Sequence, residues 1–347
     1  MAILTTDLCN RFGIEHPIFG FAHDIATVAA ITNSGGLGVY GATRRFPHEI
    51  VDELAEIRRL VGEKPFGVDL VLPDGMPEHN SREAIEAHIP SEHKRFVEGM
   101  IDKYNVPEPS EPGARTRFIR STEIEAEQLE AVMASDVDLF ACGIGAPRPA
   151  VEKAKELGKA TAALIGSPRH VHRAVNSGVD IIVAQGAEAG AHTGTIGTFT
   201  LVPQIVDACG DIPVLAAGGV ATGRHVAAAL AMGAQGVWAG TVWLTTTEHV
   251  GHMQPALVDK LLTATSADTV ITDILTSRPE WPAERPFFPY FISPLWLFDT
   301  FMTDIPDDGF SVPINHDGTA KLIDSTSTGQ LHDGNQGREG KVIGADD

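Results

Sequence analysis

Short apolar runs alternate along the chain with longer segments whose apolar residues recur at helical spacing. The first runs, at residues 16–21, 37–41 and 66–72, consist mainly of branched, aromatic and glycine residues, which is typical of buried strands. Residues 47–61 place their apolar side chains on one helical face, and Asp24 precedes the first predicted helix as a capping residue. Strands that are separated in this way by helices lie parallel in one sheet.

The alternation is interrupted once and then continues to the end of an eighth strand. Residues 74–121 are polar and contain several prolines, so we expect an insertion after the third strand, with one helix at 91–104. That helix is expected to turn these residues inward: Phe96, Val97, Met100, Ile101 and Tyr104. The later predicted elements are 122–134, 138–143, 147–157, 160–165, 168–177, 181–186, 199–209, 213–217, 222–232 and 236–239. Eight strands with helices between them fit an α/β fold of the closed (β/α)₈ TIM-barrel type better than an open sheet.

This pattern divides the chain into three parts. Residues 1–255 form the predicted barrel, including the insertion at 74–121. Residues 256–305 continue with a helical pattern that proline and aromatic residues interrupt, which suits a C-terminal helical cap packed on the barrel. Residues 306–347 contain few large apolar side chains, and we expect a loop-like tail there.

Composition and charge narrow the classes of function. The 347 residues are 43% hydrophobic, which is enough for a large core, and the formal net charge of −20 opposes binding to nucleic acid or to an anionic membrane. The sequence has no signal peptide and no apolar run of the ~18 residues that a membrane span needs, so we expect a cytoplasmic protein. The three cysteines match neither a disulfide framework nor a metal site. The sequence is compatible with a homodimer.

Glycines follow the seventh and eighth predicted strands at matching positions. Gly218 and Gly219 come directly after Ala217, and Gly240 and Thr241 come directly after the eighth strand. In barrels these two loops commonly form a phosphate site, because backbone N–H groups face the anion there. The alternative is that the glycines only make tight turns. The paired positions favour a phosphate-bearing cofactor, and the spacing is not that of NAD-binding or ATP-binding glycine motifs.

A glycine-rich loop with a histidine follows the sixth predicted strand. Gln185 ends the strand, and the loop contains Gly190, His192 and Gly194. An imidazole has an ordinary pKa of about 6.5 and exchanges protons near neutral pH, so His192 is a candidate base. The alternative is a loop histidine that only binds backbone. Glu188, in the same loop, is expected to have a structural role as a turn cap or an ion-pair partner.

The motifs of these loops are part of a wider resemblance. Its matching stretches are Pro17-Ile18, Asn33 to Gly38, Pro65 to Asp69, Gly178 to Asp180, Gln185 to Gly194, Pro213 to Arg224, and Gly233 to Thr241. In these stretches the chain resembles the nitronate monooxygenase family, formerly called 2-nitropropane dioxygenases, which are FMN-dependent (β/α)₈ enzymes. The resemblance covers residues 10–73 and 122–247.

The resemblance implies a cofactor, a reaction and roles for particular residues. FMN would be bound with its phosphate at the two glycine loops. The implied cofactor contacts are Gly20, Phe21, Ala22, Asp69, Gln185, Gly190, Gly194, Ala217, Gly218, Gly219, Gly240 and Thr241. His192 would remove the proton beside the nitro group of a small-molecule substrate, or would position a nitronate that is already anionic. The reduced flavin would react with O₂, and the substrate would break down to a carbonyl compound and nitrite.

Two residues depart from the pattern of the family. His23 occupies the position of a methionine that often lies over the flavin, which makes it a candidate for the substrate side of the site. Asp69 replaces a usual asparagine, and an ionised Asp69 would disfavour a reduced anionic flavin unless the carboxylate is protonated or paired. Two alternatives therefore stay open: an FMN-dependent enoyl-acyl-carrier-protein reductase that uses NAD(P)H, and a flavin-binding protein without turnover.

Overall fold

The structure is a computed structural model that describes most of the first 268 residues and short segments beyond them. The described residues are 5–73, 78, 89–106, 120–253, 255–268, 270–272, 290–292, 310–311, 321–324 and 331–333. The chain divides into two compact units. One contains 1–76, 124–253 and 276–291, and the other contains 77–123, 254–275 and 292–347.

Eight parallel strands of the first unit close into a barrel. They are β1 (Ile18–Ala22), β2 (Leu37–Gly41), β3 (Gly67–Leu70), β4 (Leu139–Cys142), β5 (Ala160–Ile165), β6 (Ile181–Gln185), β8 (Val214–Ala217) and β9 (Gly236–Ala239). The short strand β7 (Ala191–His192) is not part of the barrel. Neighbours in this order are hydrogen-bonded, and β9 closes the barrel by pairing with β1. The predicted (β/α)₈ TIM barrel is therefore confirmed.

Helices follow the strands as the apolar periodicity predicts. They are α1 (Asp7–Phe12), α2 (Ile25–Asn33), α3 (Pro47–Val61), α4 (Ser91–Tyr104), α5 (Thr122–Ala134), α6 (Arg148–Glu156), α7 (Val171–Ser177), α8 (Thr198–Cys209), α9 (Gly223–Ala231), α10 (Thr247–Val250) and α11 (Pro255–Thr263). Short 3₁₀ turns occupy Pro168–His170, Thr241–Thr245 and Ser266–Asp268. The predicted cap of α2 is present, because Asp24 Oδ1 accepts a hydrogen bond of 2.7 Å from Thr27 N.

Alternate residues of each strand face the barrel interior. The interior cluster includes Phe19, Leu37, Val39, Leu139, Ala141, Ile181, Val183 and Leu215. The residues between them pack outward against the helices in two further clusters. This alternation decides which side chains at the strand ends face the mouth of the barrel.

Helix α1 was not predicted, and it closes the amino end of the barrel. Its Leu8 and Cys9 are buried in the interior cluster beside Phe19. Thr6 caps the helix and its Oγ1 also donates to Gln235 O at 2.8 Å, next to the start of β9. Six residues with two buried side chains are too short for an apolar period to be visible.

The insertion helix α4 forms over the predicted residues, but the prediction that its apolar face turns inward is wrong. Phe96, Val97 and Ile101 are 60%, 54% and 46% exposed. Met100 and Tyr104 are half-buried. Helical spacing decides which side chains share a face, but it does not decide whether another element covers that face.

The region after the barrel differs from the expected helical cap and loop-like tail. Helix α11 overlaps the residues whose pattern is helical, whereas Tyr290–Ile292 is extended and pairs through Tyr290 and Phe291 with a two-residue strand β7 (Ala191–His192). Aromatic and β-branched residues favour this extended form. The predicted cap aromatics at 281, 287, 288, 296, 298 and 301 lie outside the described residues.

Short strands also occur inside the predicted tail. They are Phe310–Ser311, Lys321–Asp324 and Leu331–Asp333, which pair as an antiparallel sheet. Isolated apolar residues among glycines and polar residues gave the sequence no period from which to predict these strands. The boundaries at residues 255 and 305 stay a prediction.

Candidate active site at the carboxyl ends of the strands

The residues predicted for the site come from the carboxyl ends of five strands and from the loops that follow them. Closure of a parallel barrel brings all these ends to one rim, which we call the mouth. Residues from β1 and β3 form one side of the mouth, and those from β6, β8 and β9 form the other. The strand order therefore gathers side chains that are far apart in the sequence.

Asp69 lies on the first side, in the interior of the barrel at the end of β3. The residue is only 4% exposed, and its Oδ2 has no hydrogen-bond partner among the described residues. Burial raises the pKa of this carboxyl from 3.8 to about 7. Gly143, at the end of β4, is close enough that a Cβ there would lie 3.0 Å from Asp69 Oδ1. A buried polar atom without a partner is costly, which makes this position suited to a polar ligand atom.

His23 lies over Gly41 at the end of β2, on the same side of the mouth as Asp69. Its Nδ1 is 3.1 Å from Gly41 O, and its ring packs edge-on against Phe21 with 4.9 Å between ring centres. Because a carbonyl only accepts, Nδ1 is the donor in this contact. Gly41 and Asp69 are register partners on β2 and β3. The two departures from the family pattern therefore lie together.

The three consecutive residues predicted on β1 do not face the same way. Phe21 points into the barrel, where it stacks on Trp238 with 6.1 Å between ring centres. Ala22 packs outward in a helix-facing cluster. A Cβ at Gly20 would also point outward, 2.7 Å from Ile31 Cδ1. Gly20 and Ala22 therefore have only backbone to offer a cofactor, and the packing of α2 is sufficient to explain why Gly20 is a glycine.

The loop after β6 holds the candidate base on the opposite side. Gln185 Nε2 donates to Gly190 O at 3.4 Å, and a Cβ at Gly190 would lie 3.5 Å from Thr241 Oγ1. Ala191 has a φ of +62°, a left-handed conformation that costs a non-glycine residue roughly 1–2 kcal/mol. His192 follows directly, half-buried in β7. The surrounding structure therefore fixes the direction in which His192 leaves the loop.

Gly194 is explained by backbone packing. A Cβ there would clash with Gly166 O at the end of β5. Next to it, Thr193 Oγ1 donates to Gly186 O at 2.8 Å and closes the loop on itself. The predicted cofactor contact of Gly194 stays a prediction.

Glu188 has the structural role that was predicted for it. Its Oε2 accepts hydrogen bonds from Thr198 N at 2.7 Å and from Thr198 Oγ1 at 2.9 Å, at the first residue of α8. Thr198 Oγ1 also lies 3.2 Å from Ala217 O and 3.1 Å from Gly218 O. Sequence reasoning missed Thr198, which joins the β6 loop to the end of β8. In the sequence, Thr198 is marked only as a hydroxyl residue just before the predicted helix at 199–209.

Both glycines after β8 adopt conformations that other residues avoid. Gly218 has a φ of +101° and Gly219 a φ of +70°. A Cβ on Gly218 would also lie 2.7 Å from Thr198 Oγ1 and 2.9 Å from Ala189 N. The backbone therefore forms a shallow cradle that only glycine permits, and the β6 loop packs directly against it.

Backbone donors are available beside this cradle. The N–H groups of Gly219, Gly240 and Thr241 donate to no acceptor in the part of the chain that the structure describes. The start of α9 is different, because His225 Nδ1 accepts from Ala221 N at 3.1 Å. Three such donors, together with the orphaned oxygen of Asp69, fit a cofactor that combines a phosphate with a polar ring.

Three mouth glycines were not predicted as site residues. Gly41 ends β2, and Gly143 and Gly166 directly follow β4 and β5. Each has a neighbour so close that a side chain would displace it. Their signal in the sequence was a glycine at the end of a predicted strand, repeated three times.

Two cavities lie away from the mouth. One of about 300 Å³ lies beside α2 and is lined in part by Ile31, Trp243 and Thr246. The other, of about 610 Å³, lies at the amino end of the barrel beside Arg11 and Asp180. Neither is lined by a residue predicted for the site. The convergence of polar groups, and not the size of a cavity, identifies the mouth as the candidate site.

The described residues contain neither a membrane-spanning helix nor a metal-binding cluster. None of the helices described there combines the length and the apolar character that crossing a membrane requires. Within the same ranges, no cluster of three or more His, Cys, Asp or Glu side chains is arranged to hold a metal ion.

Comparison with known proteins gives one consistent family. The sequence model of the nitronate monooxygenase family matches residues 4–280. A protein of Mycobacterium tuberculosis named as a monooxygenase is 41% identical over 289 residues, which are 80% of this chain and 75% of that protein. A Staphylococcus haemolyticus protein named probable nitronate monooxygenase is 33% identical over 78% of this chain and 76% of its own length.

Solved structures extend the similarity to the barrel. Nitroalkane oxidase from Streptomyces ansochromogenes has a TM-score of 0.62 at 26% identity, over 78% of this chain and 77% of that chain. FabK from Thermotoga maritima has a TM-score of 0.60 at 26% identity, over 78% of this chain and 72% of that chain.

Proposed function

The chain belongs to the nitronate monooxygenase family, and from this premise we propose that it is an FMN-dependent enzyme that oxidises alkyl nitronates or nitroalkanes with O₂ to a carbonyl compound and nitrite. Membership makes it an oxidoreductase of the monooxygenase type. One observation carries the finer proposal: the loop that holds His192 packs directly against both glycine loops, through Ala189 on Gly218 and Gly190 on Thr241. A proton-exchanging group and a phosphate cradle are thus parts of one site.

The cradle and the interior of the mouth would hold different parts of FMN. The N–H groups of Gly219, Gly240 and Thr241 would donate to the phosphate, whose negative charge the acidic protein tolerates because the donors are backbone dipoles. Asp69 and Gln185 face the mouth interior and would contact the flavin ring. When it is bound, FMN accepts two electrons from the substrate and passes them to O₂.

His192 would act on the proton beside the nitro group. In a neutral nitroalkane this C–H bond must break, and the neutral imidazole accepts the proton while the electron pair stays with the carbon–nitro group. A nitronate has already lost that proton. The strained residue before His192 restricts where the ring points, which is the positioning that proton transfer requires.

The two substrate forms provide the test. In the purified FMN-bound protein, His192→Gln should lower kcat/KM for a nitroalkane by about 100-fold or more and change kcat/KM for its nitronate by less than about threefold. His172→Gln, at an exposed position on α7, is the matched control and should leave both values unchanged. Equal losses on the two forms would remove the base role from His192.

The anaerobic flavin spectrum separates this proposal from the reductase alternative. Bleaching of the bound flavin by a nitronate supports the proposal. Bleaching by NADPH alone overturns the proposed substrate, and a protein that takes up no FMN overturns the cofactor.

A further inference from the structure

Asp69 is placed in the mouth by the register of the barrel. Gly67 and Asp69 face the interior, whereas Val68 and Leu70 pack outward against the helices. In the register, Asp69 lies level with Gly41 on β2 and Ala141 on β4, neither of which has a polar side chain. The strand is apolar apart from this one residue, so the carboxyl is not a surface group that happens to be covered.

No charged partner explains the burial of this carboxyl. Cys142 and His23 are titratable groups on the neighbouring elements. Cys142 on β4 interacts with Asp69 electrostatically, and His23 lies over Gly41 on the β2 side. Burial and the nearby Asp69 raise the pKa of the Cys142 thiol, so the thiol stays neutral. No lysine or arginine forms an ion pair with Asp69 in the part of the chain that the structure describes.

Asp24 is a buried aspartate with a structural role, and both of its carboxylate oxygens have hydrogen-bond partners. Its Oδ2 lies 2.6 Å from His249 Nδ1, and its Oδ1 accepts from Thr27 N at 2.7 Å. These hydrogen bonds lower the pKa of Asp24 even though burial opposes them. Asp69 is similarly buried and has none of these partners. A carboxyl in such a place keeps its proton, because burial penalises only the charged form, and the proton then needs an acceptor.

We propose that Asp69 is a neutral carboxylic acid in the working protein and donates a hydrogen bond from Oδ2 to an acceptor atom of the bound flavin ring. The inference rests on the proposed flavin site. It resolves the departure from the usual asparagine, because a protonated carboxyl and a carboxamide both offer a donor. It also adds a property that an asparagine lacks: loss of the proton replaces a donor by a negative charge that faces the same acceptor. Asp69 is thus a positioning residue whose effect on flavin binding depends on pH.

The pH dependence of flavin binding tests this inference. The full chain, freed of flavin, is titrated with FMN from about pH 5.5 to about pH 8.5 as the wild type and as Asp69→Asn. The ratio of wild-type Kd to variant Kd should be near one at the low end of this pH range. It should rise about tenfold or more at the high end, because ionisation of Asp69 replaces a donor by a negative charge. The ratio cancels the titration of the FMN phosphate, and lumiflavin, which has no phosphate, should give the same trend.

Two further measurements make the outcome independent of activity and of any single variant. Asp69→Leu should weaken FMN binding at low pH, where Asp69→Asn does not, because only leucine lacks a donor. Infrared spectra of the flavin-free protein at neutral pH should contain a protonated carboxyl band that Asp69→Asn removes. A ratio that stays flat with pH, or the absence of that band, overturns the inference. Failure of both proteins to bind FMN would instead overturn the proposed function.

Discussion

The two ends of the barrel differ in how their charged groups are paired. At the amino end, Arg58 donates to Asp136 Oδ2 at 2.8 Å, to Asp138 Oδ2 at 3.0 Å and to three backbone carbonyls, and it covers the ring of Phe66. Asp180 accepts from the backbone and hydroxyl of Thr161, both at 2.9 Å. Charged groups here are paired or capped.

At the mouth, by contrast, several groups are left without partners. Among the described residues, Asp69 Oδ2 has no hydrogen-bond partner and three backbone N–H groups have no acceptor, and Ala191 is held in a left-handed conformation. The amino end of a barrel mainly serves stability, whereas the carboxyl end serves the ligand. Gln235 Oε1 near the amino end is also buried without a partner among the described residues, so an orphaned atom alone is not diagnostic. An unpaired buried carboxyl together with backbone N–H groups that have no described acceptor marks the place where a ligand completes the structure.

The largest expected effect is on the free energy of unfolding, which should depend on pH through the unpaired carboxyl of Asp69 at the mouth. The folded-state pKa of Asp69, about 7, lies above its unfolded value of 3.8. Its neutral form therefore contributes stability fully below pH 3.8, and this contribution is lost as the pH rises through 7. Relative to Asp69→Asn, the wild type should lose on the order of 4 kcal/mol of unfolding free energy across that window.

Urea unfolding of both proteins at several pH values measures this loss. A constant difference between them would mean that the carboxyl at the mouth is as well satisfied as those at the amino end.

The next effect concerns the cradle. Gly218→Ala should weaken FMN binding by about 100-fold, because a left-handed φ and a contact with Thr198 together cost a few kcal/mol. Gly223→Ala, at the start of α9, is the matched control, since a Cβ there meets nothing within 4 Å. FMN fluorescence titration measures both. Similar affinities for the two variants would contradict a cradle at Gly218.

The smallest effect concerns the amino end. Arg58→Ala should lower the free energy of unfolding by about 2 kcal/mol, because it removes several hydrogen bonds and leaves their acceptors unpaired. FMN affinity should not change. The neighbouring Arg59→Ala is the control, and loss of its exposed pair with Glu56 should have no measurable effect. Weaker FMN binding in Arg58→Ala would show that the two ends are not independent.

The barrel could be predicted because its determinants are local and repeated. Eight apolar runs alternate with helical faces, and α3 has the predicted bounds of residues 47–61. The glycine loops at Gly218 and Gly240 could also be predicted, because each directly follows a recognisable strand. Helix α1 was not, because two buried residues in six form no period.

The properties that were not predictable depend on neighbours that are distant in the sequence. The outward direction of Gly20 follows from the packing of α2, and the joining role of Thr198 follows from the closure of β6 on β8. Asp69 has no hydrogen-bond partner for Oδ2 among the described residues because its register neighbours on β2 and β4, Gly41 and Ala141, have no polar side chain. A sequence gives the type of such a residue, whereas its surroundings give the pKa and the available donor.

Thr198 ties the loop that holds His192 to the two glycines after β8. Its hydroxyl lies within hydrogen-bond distance of Glu188 in the loop and of the carbonyls of Ala217 and Gly218 at the cradle. A substitution that reshapes this loop therefore also displaces the backbone at Gly218. If the proposed function holds, substrate range and cofactor retention are linked through this one hydroxyl, and a redesign of the loop has to restore the conformation of the glycines.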